Sequence, residues 1–179
     1  MRRTTTILAI LALAAWPHAE AARAPAANSV TPAAQQSGQT EPLVIVVNRS
    51  NPVDNLSFAE VRRIFLGSRG YWANGMRITL VMRDPGEPER NAVLREVCGM
   101  TEDQLKTHFL HGLFTGEILV SPKILSTPAG VRKFVFNVPG AIGYLRASDL
   151  DDSVKVLRID ELLPEDKGYK LHVPSLAVN

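Results

Sequence analysis

The chain has 179 residues, with 20 Lys and Arg against 18 Asp and Glu, and a single cysteine. So even a balance lacks the basic footprint of a nucleic-acid or anionic-surface binder, and one thiol excludes an intramolecular disulfide framework. The 45% hydrophobic content is enough for one ordinary core.

The N-terminus reads Met1-Arg2-Arg3, continues with an apolar run from Ile7 to Trp16 and reaches the small-x-small pattern Ala19-Glu20-Ala21. This predicts a cleaved signal peptide over residues 1–21, because the run is shorter than the roughly 20 apolar residues of a spanning helix. The mature protein is expected to be exported, with no stable membrane insertion after cleavage. Residues 22–41, mostly Ala, Pro, Gln, Ser and Thr, cannot bury enough surface to offset their ordering entropy and read as a disordered linker. Residues 42–179 read as a single domain.

Leu43 to Val47 is a continuous apolar run, as expected of a strand covered on both faces in a parallel sheet. Ser57 and Glu60 form a capping box, Leu56 is placed to staple onto Val61, and Gly67 ends the helix so begun. Tyr71 to Gly75 is a turn into a strand from Ile78 to Met82. The charged loop Arg83 to Arg90 follows, then a helix carrying Val93, Leu94 and Val97. Gly99 stops it; Thr101 and Gln104 cap the next helix, which Gly112 is expected to end. Leu113 to Lys123 reads as loop. Thr127 with Pro128 starts a further helix, facing inward through Val131, Phe134 and Val135 and stopping before Pro139. Gly140 to Leu145 and Val154 to Ile159 read as strands, and the tail from Leu162 as coil. Strands alternating with helices predict an α/β fold with a mainly parallel sheet.

Arg83 stands at the carboxyl end of a strand, where open α/β sheets place ligands, and its planar fork matches phosphate or carboxylate oxygens. Pairing with Asp84 or Glu87 is its structural alternative. Asp84 could accept a hydrogen bond from a protonated anion, or simply serve the turn before Pro85. Asn48, Ser50 and Asn51 follow the first strand; in a parallel sheet they would share an edge with Arg83 and add neutral donors, although turn chemistry also explains them. His108 and His111 are three apart on a helix, yet no third ligand accompanies them, so no metal or cofactor is expected. Neither a nucleophile elbow nor a phosphate loop of the Walker type is present, which argues against an enzyme.

Several pieces coincide in order and spacing: Asn48 to Ser57, Glu60-Val-Arg-Arg-Ile-Phe-Leu-Gly67, Trp72 before Gly75, Arg83 after its strand, and Pro139-Gly-Ala-Ile-Gly-Tyr144. Together, over Leu43 to Leu145, they resemble the second lobe of the periplasmic phosphate-binding proteins, the substrate-binding subunits of phosphate ABC transporters. The resemblance implies one lobe of a type II periplasmic-binding-protein fold, a periplasmic location, a small oxyanion such as phosphate as ligand, and a transporter or other periplasmic protein as partner. It carries the anion-binding arginine onto Arg83. Where the family has a Ser-Gly-Thr element at the helix start, this chain has Gly86-Glu87-Pro88-Glu89. Carboxylates there repel an anion and Pro88 removes a donor. The expectation is therefore a non-catalytic solute-binding-like protein contacting an oxyanion through Arg83, Asp84, Gly86 and the Asn48–Asn51 loop. The alternative is a protein-interaction module on the same fold that has lost the ligand.

Overall fold

The computed structural model describes residues 39–175. The expected signal peptide and residues 22–38 of the expected linker lie outside the described residues. No helix among the described residues is long and apolar enough to cross a membrane.

The first strand, β1 (Thr40–Asn48), begins two residues before the expected domain start, so Thr40 and Glu41 belong to the sheet. After the short β2 (Asn55–Leu56), α1 (Phe58–Phe65) is opened by the Ser57–Glu60 capping box and stopped at Gly67, whose φ is 74°. It buries Val61, Ile64 and Phe65, each worth about 1.5–3 kcal/mol of transfer free energy. The β3 strand (Thr79–Arg83) runs into α2 (Pro88–Val93), which continues as a π-helical turn, Leu94–Cys98, and ends at left-handed Gly99. Cys98 is a buried core residue, and burial pushes its thiol up to about 11. The Thr101–Gln104 capping box opens α3 (Glu102–Thr115). Then come β4 (Lys123–Leu125), α4 (Pro128–Asn137) capped by Thr127, β5 (Ala141–Arg146), β6 (Val154–Val156), β7 (Arg158–Ile159) and β8 (His172–Pro174).

The sheet order is β4-β3-β5-β1-β6, with β8 also on β1; β2 and β7 pair separately. Because β3 is parallel to β4 and β5, while β1 is antiparallel to β5, β6 and β8, five strands share one direction and β1 alone is reversed. Helices cover both faces. Leu43, Ile45 and Val47 of β1 enter the core under α1, the α2–π segment and α3, whereas Val44 and Val46 enter the core under Val131 and Val135 of α4. A strand covered on both faces reads as the same apolar run in either direction, which is why its reversal escapes the sequence pattern.

Four further boundaries differ from expectation. Gly112 does not end α3, which continues to a left-handed Gly116; it is instead a notch, since a Cβ there would lie 2.5 Å from Ile118 Cδ1. The helix after Arg83 starts at Pro88, because a first-turn proline needs no N–H partner. The Val154–Ile159 stretch divides at Leu157, whose N–H donates to Ile45 O, so that β7 can join β2. The tail supplies β8, whose three residues are too short to signal a strand without their partner, Thr40–Pro42.

Candidate functional site

The carboxyl ends of β3 and β5 and the amino end of β1 meet at one edge of the sheet. There the backbone turns out of β3 at Arg83, whose N–H donates to Tyr144 Oη at 2.9 Å across the ladder to β5. Burial raises the Tyr144 phenol well above its ordinary value, so this hydroxyl remains protonated. Its position fixes the point at which the Arg83 side chain leaves the strand.

Arg83 is 5% exposed. Its Nη2 donates to Glu87 Oε2 at 2.9 Å, and a long contact of 3.5 Å joins Nη1 to Leu125 O. Nε is buried without a hydrogen-bond partner and lies 4.0 Å from Glu89 Oε2, which is also unpartnered. The other oxygen of Glu89 is taken by Arg146 Nε. Arg146, 2% exposed, uses Nη1 to donate to Glu41 Oε1 at 2.6 Å and to Pro174 O at 2.7 Å. Burial by itself disfavours the Arg146 charge, but the hydrogen bonds that it donates to Glu41 and Glu89 outweigh this and hold the guanidinium more firmly protonated. Arg90 closes the other side: it donates to Arg83 O at 2.8 Å and makes a bidentate fork onto Glu102, both contacts at 2.7 Å.

Three guanidinium groups and four carboxylates thus share this edge. In the first turn of α2, Glu89 points inward and is fixed by Arg146, while Glu87 stands at the N-cap position with no capping bond and a side chain 38% exposed. Gly86, at φ 90° with open space around it, makes the turn, and its carbonyl accepts from Asn91. Asp84 contributes a backbone carbonyl to that turn, accepting from Glu87 N at 3.3 Å.

The expected shared edge for Asn48, Ser50 and Asn51 does not form. Asn48 aligns across the ladders with Ala141, four residues from the level of Arg83, or about 13 Å along the strands, at the opposite end of the sheet. The reversal of β1 is the cause. Asn48 instead donates to Val135 O and Phe136 O of α4, its Oδ1 accepts from Ser50, and Asn51 Oδ1 accepts from Val53 N. These are turn and helix-end contacts. His108 Nε2 lies 2.8 Å from Leu66 O, and His111 is exposed.

Sequence reasoning found Arg83, Glu87 and Glu89 but passed over Arg146, Arg90, Glu41 and Glu102. An arginine ending the apolar strand at Leu145 was a signal for Arg146. Its partner Glu41 is 105 residues away, and nothing local links the two.

Comparison with known proteins accords with this architecture. The chain is 29% identical over 138 residues to the phosphate-binding protein PstS of Bacillus subtilis, a match covering 70% of this chain and 38% of that protein. Among solved structures it superposes on a phosphate ABC transporter substrate-binding protein of Clostridium perfringens with bound phosphate, with a TM-score of 0.63 and 23% identity. That match covers 75% of this chain and 54% of the other. An ABC-type phosphate transport receptor of Vibrio cholerae gives a TM-score of 0.61 and 21% identity, covering 75% and 55%. No family model matches. Over one lobe, this chain is similar to the phosphate-binding proteins. The sequence spans about half the length of the solved relatives and less of the Bacillus protein. The fold expected from the sequence, one lobe of a type II periplasmic-binding-protein architecture, is the fold found.

Proposed function

We propose that this chain is an exported, non-catalytic solute-binding protein of the periplasm, whose ligand is a small oxyanion such as phosphate held at Arg83, and which works beside an ABC transporter. The observation that carries the reading is the position of Arg83: a buried guanidinium at the carboxyl end of β3, with an Nη2 donor already engaged by a carboxylate oxygen. A fork that accepts one oxyanion from within the chain can accept another from solution. No Ser-Gly-Thr element supports the anion here, and Pro88 offers no donor at all. Affinity should accordingly be modest.

Calorimetric titration of the exported chain with inorganic phosphate tests this, using Arg83→Gln as the site variant and a thermal melt to verify its fold. A binding heat that disappears in a folded Arg83→Gln protein supports the assignment, and a heat that persists refutes the site.

A second reading, a protein-interaction module that has lost its ligand, is favoured by a different observation. Leu110, Leu113 and Phe114 lie three and four residues apart on α3 and are exposed by 55%, 38% and 85%. An apolar stripe of this kind is characteristic of interaction surfaces. Absence of any phosphate response in the wild-type chain and in the Glu87 variant described below would favour this reading over the first.

A further inference from the structure

We propose that Glu87 is an internal competitor for the oxyanion site: its carboxylate occupies Arg83 in the empty protein and must swing into solvent before an external anion can bind. This inference rests on the oxyanion reading of Arg83 and adds a residue that sets its affinity.

The two glutamates near Arg83 differ in the way the idea requires. Glu89 is built in, with a side chain 7% exposed and one oxygen held by Arg146, itself anchored by Glu41 and Pro174 O. Glu87 has one partner, Arg83, and its side chain is 38% exposed. Nothing else restrains it. It makes no capping hydrogen bond, and the preceding Gly86 has open space where a side chain would lie. Rotation about its side-chain bonds therefore moves the carboxylate into water without disturbing α2 or β3.

The state left behind is receptive. Arg83 would then keep only its long contact to Leu125 O as a hydrogen bond, while Nε is already unpartnered at nine-tenths burial, and Glu89 Oε2 beside it can accept the proton of a protonated oxyanion such as hydrogen phosphate. An arriving oxyanion regains the Nη2 bond that Glu87 gives up. Because Glu87 is 38% exposed and lies four residues from Arg83 in sequence, its hold on the buried guanidinium is weak, so it lowers affinity without abolishing binding. The displaced carboxylate also stays tethered nearby and repels the bound anion, a second contribution of the same sign.

The experiment is calorimetric titration of inorganic phosphate, at fixed pH and ionic strength, into the wild-type chain, Glu87→Gln and Glu96→Gln. Glu96 is a matched control: its side chain is also 38% exposed and pairs with a neighbouring arginine, Arg95, at 2.6 Å. Glu87→Gln is expected to bind phosphate about three- to tenfold more tightly than wild type, with Glu96→Gln within about twofold of wild type. Equal affinity of wild type and Glu87→Gln overturns the competitor role while leaving the oxyanion site standing. So does an equal gain in Glu96→Gln, since that would report net charge alone. No phosphate heat in any of the three proteins overturns the oxyanion reading itself, and this inference with it.

Discussion

Replacing Arg146 with Met should cost this protein about 3–5 kcal/mol of folding stability, because it strands a buried carboxylate. Arg146 is 2% exposed and supplies the Glu89 carboxylate with its only hydrogen bond among the described residues. Once the guanidinium is gone, the nearest cation to Glu89 is Arg83, whose Nε is 4.0 Å away and makes no hydrogen bond. Glu41 loses its ionic partner too, but it keeps its hydrogen bond from Ser148, and at 17% side-chain exposure it can recover hydration. For a domain of this size the loss corresponds to a drop in Tm of roughly 10–15 °C. Urea denaturation gives the free energy directly, and the double variant Arg146→Met with Glu89→Leu supplies the decisive comparison. With both charges replaced by apolar groups of similar volume, the desolvation cost disappears along with the attraction, so the double variant should recover most of the stability lost by Arg146→Met. A loss below about 1 kcal/mol for Arg146→Met, or a double variant as unstable as the sum of its singles, would refute the reasoning.

Two other outcomes follow from the same structure. Gly112→Ala should destabilise by up to about 2 kcal/mol in a thermal melt: the clash with Ile118, typically about 1–3 kcal/mol, offsets the helix-propensity gain of about 1 kcal/mol. Stabilisation instead would mean that α3 and the Ile118 segment are not in close contact. Burial pushes the Glu41 carboxyl up, but hydrogen bonds from Arg146 and Ser148 outweigh this and hold it below its ordinary value of 4.5. Its contribution to stability is therefore fully present above that ordinary value and is lost as pH falls through the lower folded-state value. Glu41→Gln should show a flatter fall in stability between about pH 5 and 3 than wild type, measured by urea midpoints; parallel curves would count against the pairing.

The helices were largely legible because their signals are local. Ser57 with Glu60, Thr101 with Gln104, and Thr127 with Pro128 each satisfy N–H groups within a few residues, and the structure contains all three caps. Buried faces such as Val61, Ile64 and Phe65 followed from helical spacing alone. Local chemistry also misled at Gly112: a glycine whose small size serves packing against Ile118 is indistinguishable, in one sequence, from a helix stop.

The sequence by itself determined the α/β class, the helix starts and the presence of Arg83, Glu87 and Glu89 in one loop, since each depends on neighbours in the chain. Only the tertiary structure decided the direction of β1, and with it the removal of Asn48, Ser50 and Asn51 to the far end of the sheet. It alone joined Arg146 to Glu41 and Glu89, and it alone made Glu89 a fixed buried partner while leaving Glu87 partly exposed at the rim. The physical reason is common to these cases. Strand direction and charge burial are set by contacts between distant segments, 42 and 105 residues apart for the Arg83 and Arg146 contacts, and a glutamate's neighbours in sequence do not reveal whether its carboxylate meets water or a guanidinium.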